Sequence, residues 1–342
     1  MENVIDRKEL LSFIERVKPI VSKKVNVPYE DWIFFDGNYV YAFNGLFFFL
    51  QPFDAPKEMA LPVVPVKAML SRLHEDTVSI LIGIDSVTIE CQGNQADFNY
   101  PFKSISDYMQ SFYVETAPIE NYTSLPSYFR DAIDFCSKST FPMNIEYSNI
   151  YVQDNMAMSS DGYKIATRFV DCPDASFSLG IEKVLGSVGE PDLILIKDST
   201  VSFRIGDSVL SMVRNIGNVS AVSRYIPNTS TATESFRIEN PSEWKQALLA
   251  SKAFDIEFKK KDVTVHVSIE DGEAVISTEG VKSKYTHKLK GVYSSSNLAF
   301  RIHPDHLISL VEMEGEVRFG TNDFLVCESE SENECLYLWV EV

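Results

Sequence analysis

At 342 residues, with 45% hydrophobic and 23% charged side chains, the chain has room for two or three domains and reads as an ordinary soluble globular protein. A formal charge of −18 argues at first sight against a nucleic-acid partner, because phosphate binding needs basic faces. Membrane spans are excluded by the apolar runs, of which the longest, Leu46–Leu50 and Ile80–Ile84, are strand-sized.

In chain order the first expected element is a helix. Asp6-Arg7-Lys8-Glu9 is a capping-box start, and Leu10, Ile14, Val17 and Val21 follow one helical face until Pro19 ends the regular helix near Lys18. Alternating strands follow around the turn signal Asp36-Gly37. A second helix carries Val66, Met69, Leu70 and Leu73, and a second hairpin turns near Asp85-Ser86. The same order then returns. Leu125, Phe129, Ala132 and Cys136 repeat the first helical spacing 115 positions after Leu10, with a hairpin at Asp154-Asn155. Ile181, Val184, Leu185 and Val188 repeat the second 115 positions after Val66, with a hairpin near Asp198-Ser199. A third copy opens at the capping box Asn240-Pro241-Ser242-Glu243, with Trp244, Ala247, Leu248 and Ser251 on its apolar face. Its hairpin turns at Asp271-Gly272, its second helix follows His303-Pro304-Asp305 with Leu307, Leu310 and Val311, and its last hairpin turns near Asn322-Asp323. The fold class is therefore α+β, three repeats of helix, strands, helix, strands, with boundaries at 1–114, 115–229 and 230–342.

The residues offer little chemistry. Nucleotide-binding, nucleophile-elbow and zinc-protease motifs are missing from the sequence. His303-x-x-His306 beside Pro304 reads as a capping and surface feature, and the acidic run Glu328–Glu334 as a hairpin loop. Cys91, Cys136, Cys172, Cys327 and Cys335 include no C-x-x-C pair, so reduced structural thiols are expected. The start Met1-Glu2-Asn3-Val4-Ile5-Asp6 lacks a signal peptide's basic head and apolar core, which predicts a cytoplasmic location.

Several segments carry a family resemblance in the right order. Ile5-Asp6-Arg7-Lys8-Glu9-Leu10-Leu11 looks like a strand running into a first helix. Ser160-Asp161-Gly162-Tyr163-Lys164-Ile165-Ala166 resembles a T-D-G-H-R-L-A segment, and Arg224-Tyr225-Ile226-Pro227 an R-V-L-P. Phe300-Arg301-Ile302 and the closing strand Leu336–Val342 complete the set. Together they resemble the bacterial DNA sliding clamp, the beta subunit of DNA polymerase III. The resemblance implies a ring of two protomers with three clamp domains each, helices lining the hole and sheets outside. It implies no enzyme activity and no cofactor or metal. The implied partners are double-stranded DNA held topologically, the replicative polymerase, the clamp loader and a second copy of the chain, with no membrane.

On that reading the charge ceases to be an obstacle, since closure around the duplex replaces tight binding and a few basic residues on the inner helices suffice. The candidates are Lys8, Arg16, Lys18, Lys23 and Lys24 in or after the first helix, with Lys67, Arg72, Arg130, Lys138, Lys183, Lys245 and Lys252 on or beside the others. By resemblance Lys24 sits at a loop position where the family carries a basic contact. A peptide-binding groove is implied at Gly162, Tyr163, Lys164 and Ile165, at Arg224, Tyr225 and Pro227, and at Leu338, Trp339 and Val340. The ending Trp339-Val340-Glu341-Val342 departs from the family's Met-Pro-Met-Arg tail. A dimer interface is implied where Phe98 and Tyr100 meet Ala253 and Phe254. The lysines of 281–290 (Lys282, Lys284, Lys288, Lys290) stand where the family carries acidic residues, so Asp97 or Glu75 and Asp76 would pair in reverse. The competing readings are a clamp-like peptide-binding hub without ring closure and an acidic β-rich enzyme or adhesion module. Only the clamp predicts an annular particle.

Overall fold

The computed structural model describes residues 3–21, 30–55, 58–83, 86–91, 93–99, 119–141, 143–144, 147–214, 220–253, 264–279, 284–313, 315–320, 323–329 and 334–340. One pattern of elements recurs three times. The first copy is β1 (Asn3–Asp6), α1 (Arg7–Val17), β2 (Trp32–Phe35), β3 (Tyr39–Phe43), β4 (Phe47–Pro52), β5 (Met59–Pro62), α2 (Val63–Leu70), β6 (Thr77–Ile82), β7 (Ser86–Cys91) and β8 (Asn94–Asn99). The second is β9 (Thr123–Ser124), α3 (Phe129–Ser137), β10 (Asn149–Gln153), β11 (Met156–Ser160), β12 (Lys164–Phe169), β13 (Ala175–Ser178), α4 (Ile181–Val188), β14 (Leu193–Ile196), β15 (Thr200–Ile205) and β16 (Ser208–Val213). After a short α5 (Ser220–Ser223) come β17 (Ala232–Ile238), α6 (Pro241–Ala253), β18 (Val265–Glu270), β19 (Glu273–Glu279), β20 (Lys284–Lys290), β21 (Val292–Ser294), β22 (Leu298–Ile302), α7 (Pro304–Val311), β23 (Glu316–Gly320), β24 (Phe324–Glu328) and β25 (Glu334–Trp339). The fold is α+β, with antiparallel sheets throughout the described pairings. No described helix is long and apolar enough to cross a membrane.

Local chemistry sets the ends of these elements. Asp6 Oδ1 accepts from the Glu9 amide at 2.8 Å, and Leu10, Phe13, Ile14 and Val17 form the buried stripe of α1. Asn240 and Glu243 close a reciprocal box at the start of α6, Oδ1 accepting from the Glu243 amide at 3.3 Å and Nδ2 donating to Oε2 at 3.4 Å. The imidazole of His303 caps α7, its Nδ1 accepting from the Asp305 amide at 3.2 Å. Each such cap is worth about 1 kcal/mol. Asp154 and Asn155 both take positive φ (51° and 60°), as do Asp271 and Gly272 (49° and 81°), the conformation that tight two-residue hairpins demand.

Three sequence expectations shift. Leu125 lies outside α3, half-buried in the lead-in where its amide bonds to the Asp192 carbonyl, because the helix begins only at Phe129. Leu73 packs beyond the end of α2, and Met69 is only half-buried. The first hairpin turns on Gly37-Asn38, one residue later than expected, since Asp36 spends its carboxylate on the amides of Asn38 and Tyr39. With that adjustment the three turns begin at Gly37, Asp154 and Asp271, each 117 positions after the last. The boundary near 114/115 lies outside the described residues, and that near 229/230 falls in a single 3-10 turn, Thr229–Thr231.

The chain forms two compact units, residues 1–133 with 171–216, and residues 134–170 with 217–342. In the first unit one sheet runs β1-β6-β7-β8, and another runs β5-β2-β3-β4-β16-β15-β14-β9 through the pairing of β4 with β16. Phe129, Phe177 and Phe203 form a ring cluster with centroids 5.8 Å apart, and Phe13 stacks on Phe49 at 6.1 Å. In the second unit β12 pairs with β25, which joins β10-β11-β12 to β25-β24-β23-β17-β21, and a separate sheet runs β20-β19-β18-β22. Its core stacks Phe236 between Trp244 and Phe300 at 6.4 and 6.2 Å. Burying each such side chain contributes about 1.5–3 kcal/mol. All five cysteines are buried and free, and burial pushes the thiols of Cys327 to about 11 and of Cys172 and Cys335 to about 12.

Candidate functional site

The hairpin between β11 and β12 holds the four groove residues expected from the middle repeat. Asp161 accepts from the amides of Tyr163 and Lys164 at 2.9 Å, and Ser160 Oγ accepts from Gly162 and donates to the Lys164 carbonyl. Gly162 has φ +92°, a backbone conformation that favours glycine, while a Cβ there would only touch the Tyr147 ring at an ordinary 3.5 Å. This locked turn projects Tyr163 outward, 66% exposed, and stacks it on His306 of α7 at 5.7 Å.

Lys164 points the other way. Its ammonium is almost closed to solvent, 3.5 Å from Ser309 Oγ and 3.9 Å from Asp161. Burial pulls its pKa down, partly offset by Asp161. His306 lies 3.8 Å from the same carboxylate, and burial pushes its pKa down to about 4. The sequence treated His306 as a surface feature; the Tyr163 stack and the packing of α7 leave it half-buried.

β25 brings the C-terminal candidates to this hairpin. Leu338 stands opposite Lys164, and the Trp339 amide donates to the Tyr163 carbonyl at 3.2 Å. Ile165 and Leu338 are fully buried, Ile165 in a cluster with Tyr151, Met158, Val222, Phe324, Val326, Cys335 and Tyr337. These two side chains underlie the surface and do not face solvent. Trp339, Met156 and Ile226 pack on the same cluster. Arg224 and Tyr225 are exposed just after α5, the guanidinium 4.8 Å above its neighbour's ring, and Pro227 is half-buried. Sequence reasoning missed Met156, Val222 and Ile226; the i, i+4 spacing of the last two was the available signal.

Most of the basic candidates meet a partner of their own chain. Lys8 pairs with Asp76, Lys67 with Glu15, Arg130 with Glu190 and Lys252 with Asp305, each at 2.6 Å, while Lys245 pairs with Glu312. Arg16 donates to Gln51, and Lys183 lies 3.9 Å from Glu182. Lys18, Arg72 and Lys138 are exposed. Phe98 is half-buried on β8 and Ala253 exposed at the end of α6. Lys23, Lys24, Tyr100, Phe254, Lys282 and the last two residues lie outside the described residues. Among the described residues no group of three or more His, Cys, Asp or Glu is placed to hold a metal.

Neither a family model nor a curated protein sequence matches the chain. Its fold does: over its whole length it has the fold of bacterial DNA polymerase sliding clamps. The chain superposes on a DNA polymerase sliding clamp from Pseudomonas aeruginosa with a TM-score of 0.81, covering 100% of both chains at 14% identity. The beta subunit from DNA polymerase of Streptococcus pyogenes gives 0.78 over 99% of each chain at 16% identity. The sliding clamp from Bacillus subtilis gives 0.78 at 13%, covering 100% of this chain and 99% of that one.

Proposed function

We propose that this chain is a cytoplasmic DNA sliding clamp, a processivity factor without a catalytic centre. It closes as a head-to-tail homodimeric ring of three clamp domains per protomer (1–114, 115–229 and 230–342) around duplex DNA. The observation that carries the reading is the threefold recurrence of one strand–helix–strands unit in a chain whose fold follows clamps end to end. A charge of −18 suits a ring held by topology, because strong phosphate contacts would impede sliding. The helix-borne basic residues, each already engaged with a carboxylate or amide, would contact the backbone by exchanging one weak surface pair for another.

The exposed surface around Tyr163, Arg224, Tyr225 and Trp339 is the groove for short peptides of the replicative polymerase and the clamp loader. Exposed aromatic rings over an apolar cluster are the composition of peptide hot spots. The deciding experiment is loading onto nicked circular DNA. Retention should survive salt that abolishes binding to short linear duplex, and should vanish when the circle is cut. Equal retention on both forms would overturn the reading, and a non-annular particle in electron micrographs would favour a peptide-binding hub.

A further inference from the structure

The hairpin that carries Tyr163 has a counterpart 117 positions earlier, inside the first unit. There Asn44 Oδ1 accepts from the amides of Leu46 and Phe47 at 3.0 and 2.9 Å, as Asp161 Oδ1 does from those of Tyr163 and Lys164. Gly45 takes φ +78° where Gly162 takes +92°. The Val213 amide at the end of β16 donates to the Leu46 carbonyl at 2.9 Å, just as the Trp339 amide at the end of β25 donates to that of Tyr163. The strands beneath keep the same step. Phe34 pairs with Tyr41 as Tyr151 pairs with Met158, and Phe48 stands opposite Ser211 as Ile165 stands opposite Tyr337. Tyr41 and Phe48 are buried, their rings 5.8 Å apart. Leu46 and Val213, two residues along from Phe48 and Ser211 and so on the same face, are 49% and 46% exposed.

One position breaks the likeness. In the second unit the group beside the glycine is Tyr147, its ring 3.5 Å from where a Gly162 Cβ would stand. In the first unit it is Glu30, again 117 positions earlier, its Oε1 3.3 Å from where a Gly45 Cβ would stand. Glu30 is only 8% exposed, and its carboxylate makes no hydrogen bond or ion pair with any described residue. A carboxylate so enclosed gains from any cation or N–H donor that reaches it.

We propose that this hairpin surface is a second docking site, for a partner peptide that sets an aliphatic or aromatic side chain on Leu46 and Val213 and a neighbouring lysine or arginine on Glu30. The kind of ligand rests on the peptide reading of the Tyr163 hairpin; the basic neighbour follows from Glu30 alone. A chain charge of −18 favours the approach of a basic segment. With two sites of unlike preference, one chain holds two different peptides at once.

The test is isothermal titration of the full chain with two capped peptides, Ser-Arg-Leu-Phe-Gly and Ser-Glu-Leu-Phe-Gly. It compares wild type, Tyr163→Ala, and Tyr163→Ala combined with either Glu30→Gln or Leu46→Ser. Tyr163→Ala should retain one site per chain that prefers the arginine peptide by about tenfold or more. Adding Glu30→Gln should erase that preference, and adding Leu46→Ser should remove the site. Loss of all binding in Tyr163→Ala would overturn the second site and leave the first standing. Arginine-peptide binding unchanged by both Glu30→Gln and Leu46→Ser would overturn it too. Binding that Tyr163→Ala leaves whole and Leu46→Ser alone abolishes would support this site and overturn the one at Tyr163. No binding to wild type would overturn both. A particle mass that falls by light scattering in Leu46→Ser, with no peptide present, would make the face a contact with a second copy and overturn the peptide proposal.

Discussion

Arg168 on β12 and Glu334 on β25 form an ion pair at 2.6 Å, both side chains nearly closed to solvent, across the strand pairing that joins the middle repeat to the third. A buried pair of this kind contributes little net stability compared with apolar neighbours, yet breaking it strands a charge in a dry setting. Glu334→Ala should therefore lower unfolding free energy by about 3–5 kcal/mol in urea titration. A double substitution to apolar residues of similar size, Arg168→Met with Glu334→Leu, should recover most of that loss.

On the proposed clamp reading, the carboxylates that hold the basic candidates limit how these side chains meet DNA. Removing Glu15 and Glu312 as Gln should free Lys67 and Lys245, now engaged by them. Affinity for linear duplex should rise, and the slope of log K against log salt should steepen by about one per lysine freed. Fluorescence anisotropy across a salt series reads both, and an unchanged slope would place these helices away from the duplex.

Acid should act through His306. Its folded pKa is pushed from 6.5 to about 4 chiefly by burial, with Lys164 and His303 adding to the shift and Asp161 and Asp305 opposing it, so the unfolded chain binds more protons between those values. This contribution is therefore whole above pH 6.5 and is lost as pH falls toward 4. Thermal midpoints should decline over that window in the wild type and decline less in His306→Gln.

Surface and support at the proposed groove separate by substitution. Tyr163→Ala removes an exposed ring and should cost about 1–2 kcal/mol of affinity for polymerase-derived peptides by isothermal titration, with the fold intact. Ile165→Ala, two residues further along at a fully buried position of β12, should instead cost about 2–5 kcal/mol of stability. Deletion of Glu341 and Val342 tests whether this ending serves as the groove's edge; unchanged affinity and processivity in both Tyr163→Ala and the deletion would misplace the site.

The sequence by itself determined the repeating elements, because each rests on neighbours a few positions apart. The Asp6 and Asn240 caps, the positive-φ turns at Asp154-Asn155 and Asp271-Gly272, and the apolar stripes of α1, α4 and α6 are all local bargains between side chain and backbone. Local signals failed where a contact was distant. Leu125 is the exception, since Pro126 beside it already disfavours a helical Leu125, but nothing near His306 says that Tyr163 will stack on it. The pairing of β4 with β16 joins residues about 160 positions apart, and that of β12 with β25 more than 160, so only packing of the whole sheets selects them. The tertiary structure alone decided which basic side chains meet carboxylates, and that Ile165 and Leu338 lie buried beneath the β11–β12 hairpin. Such facts depend on where separate segments come to rest, and the chain specifies that through the sum of its buried contacts and not through any one stretch of residues.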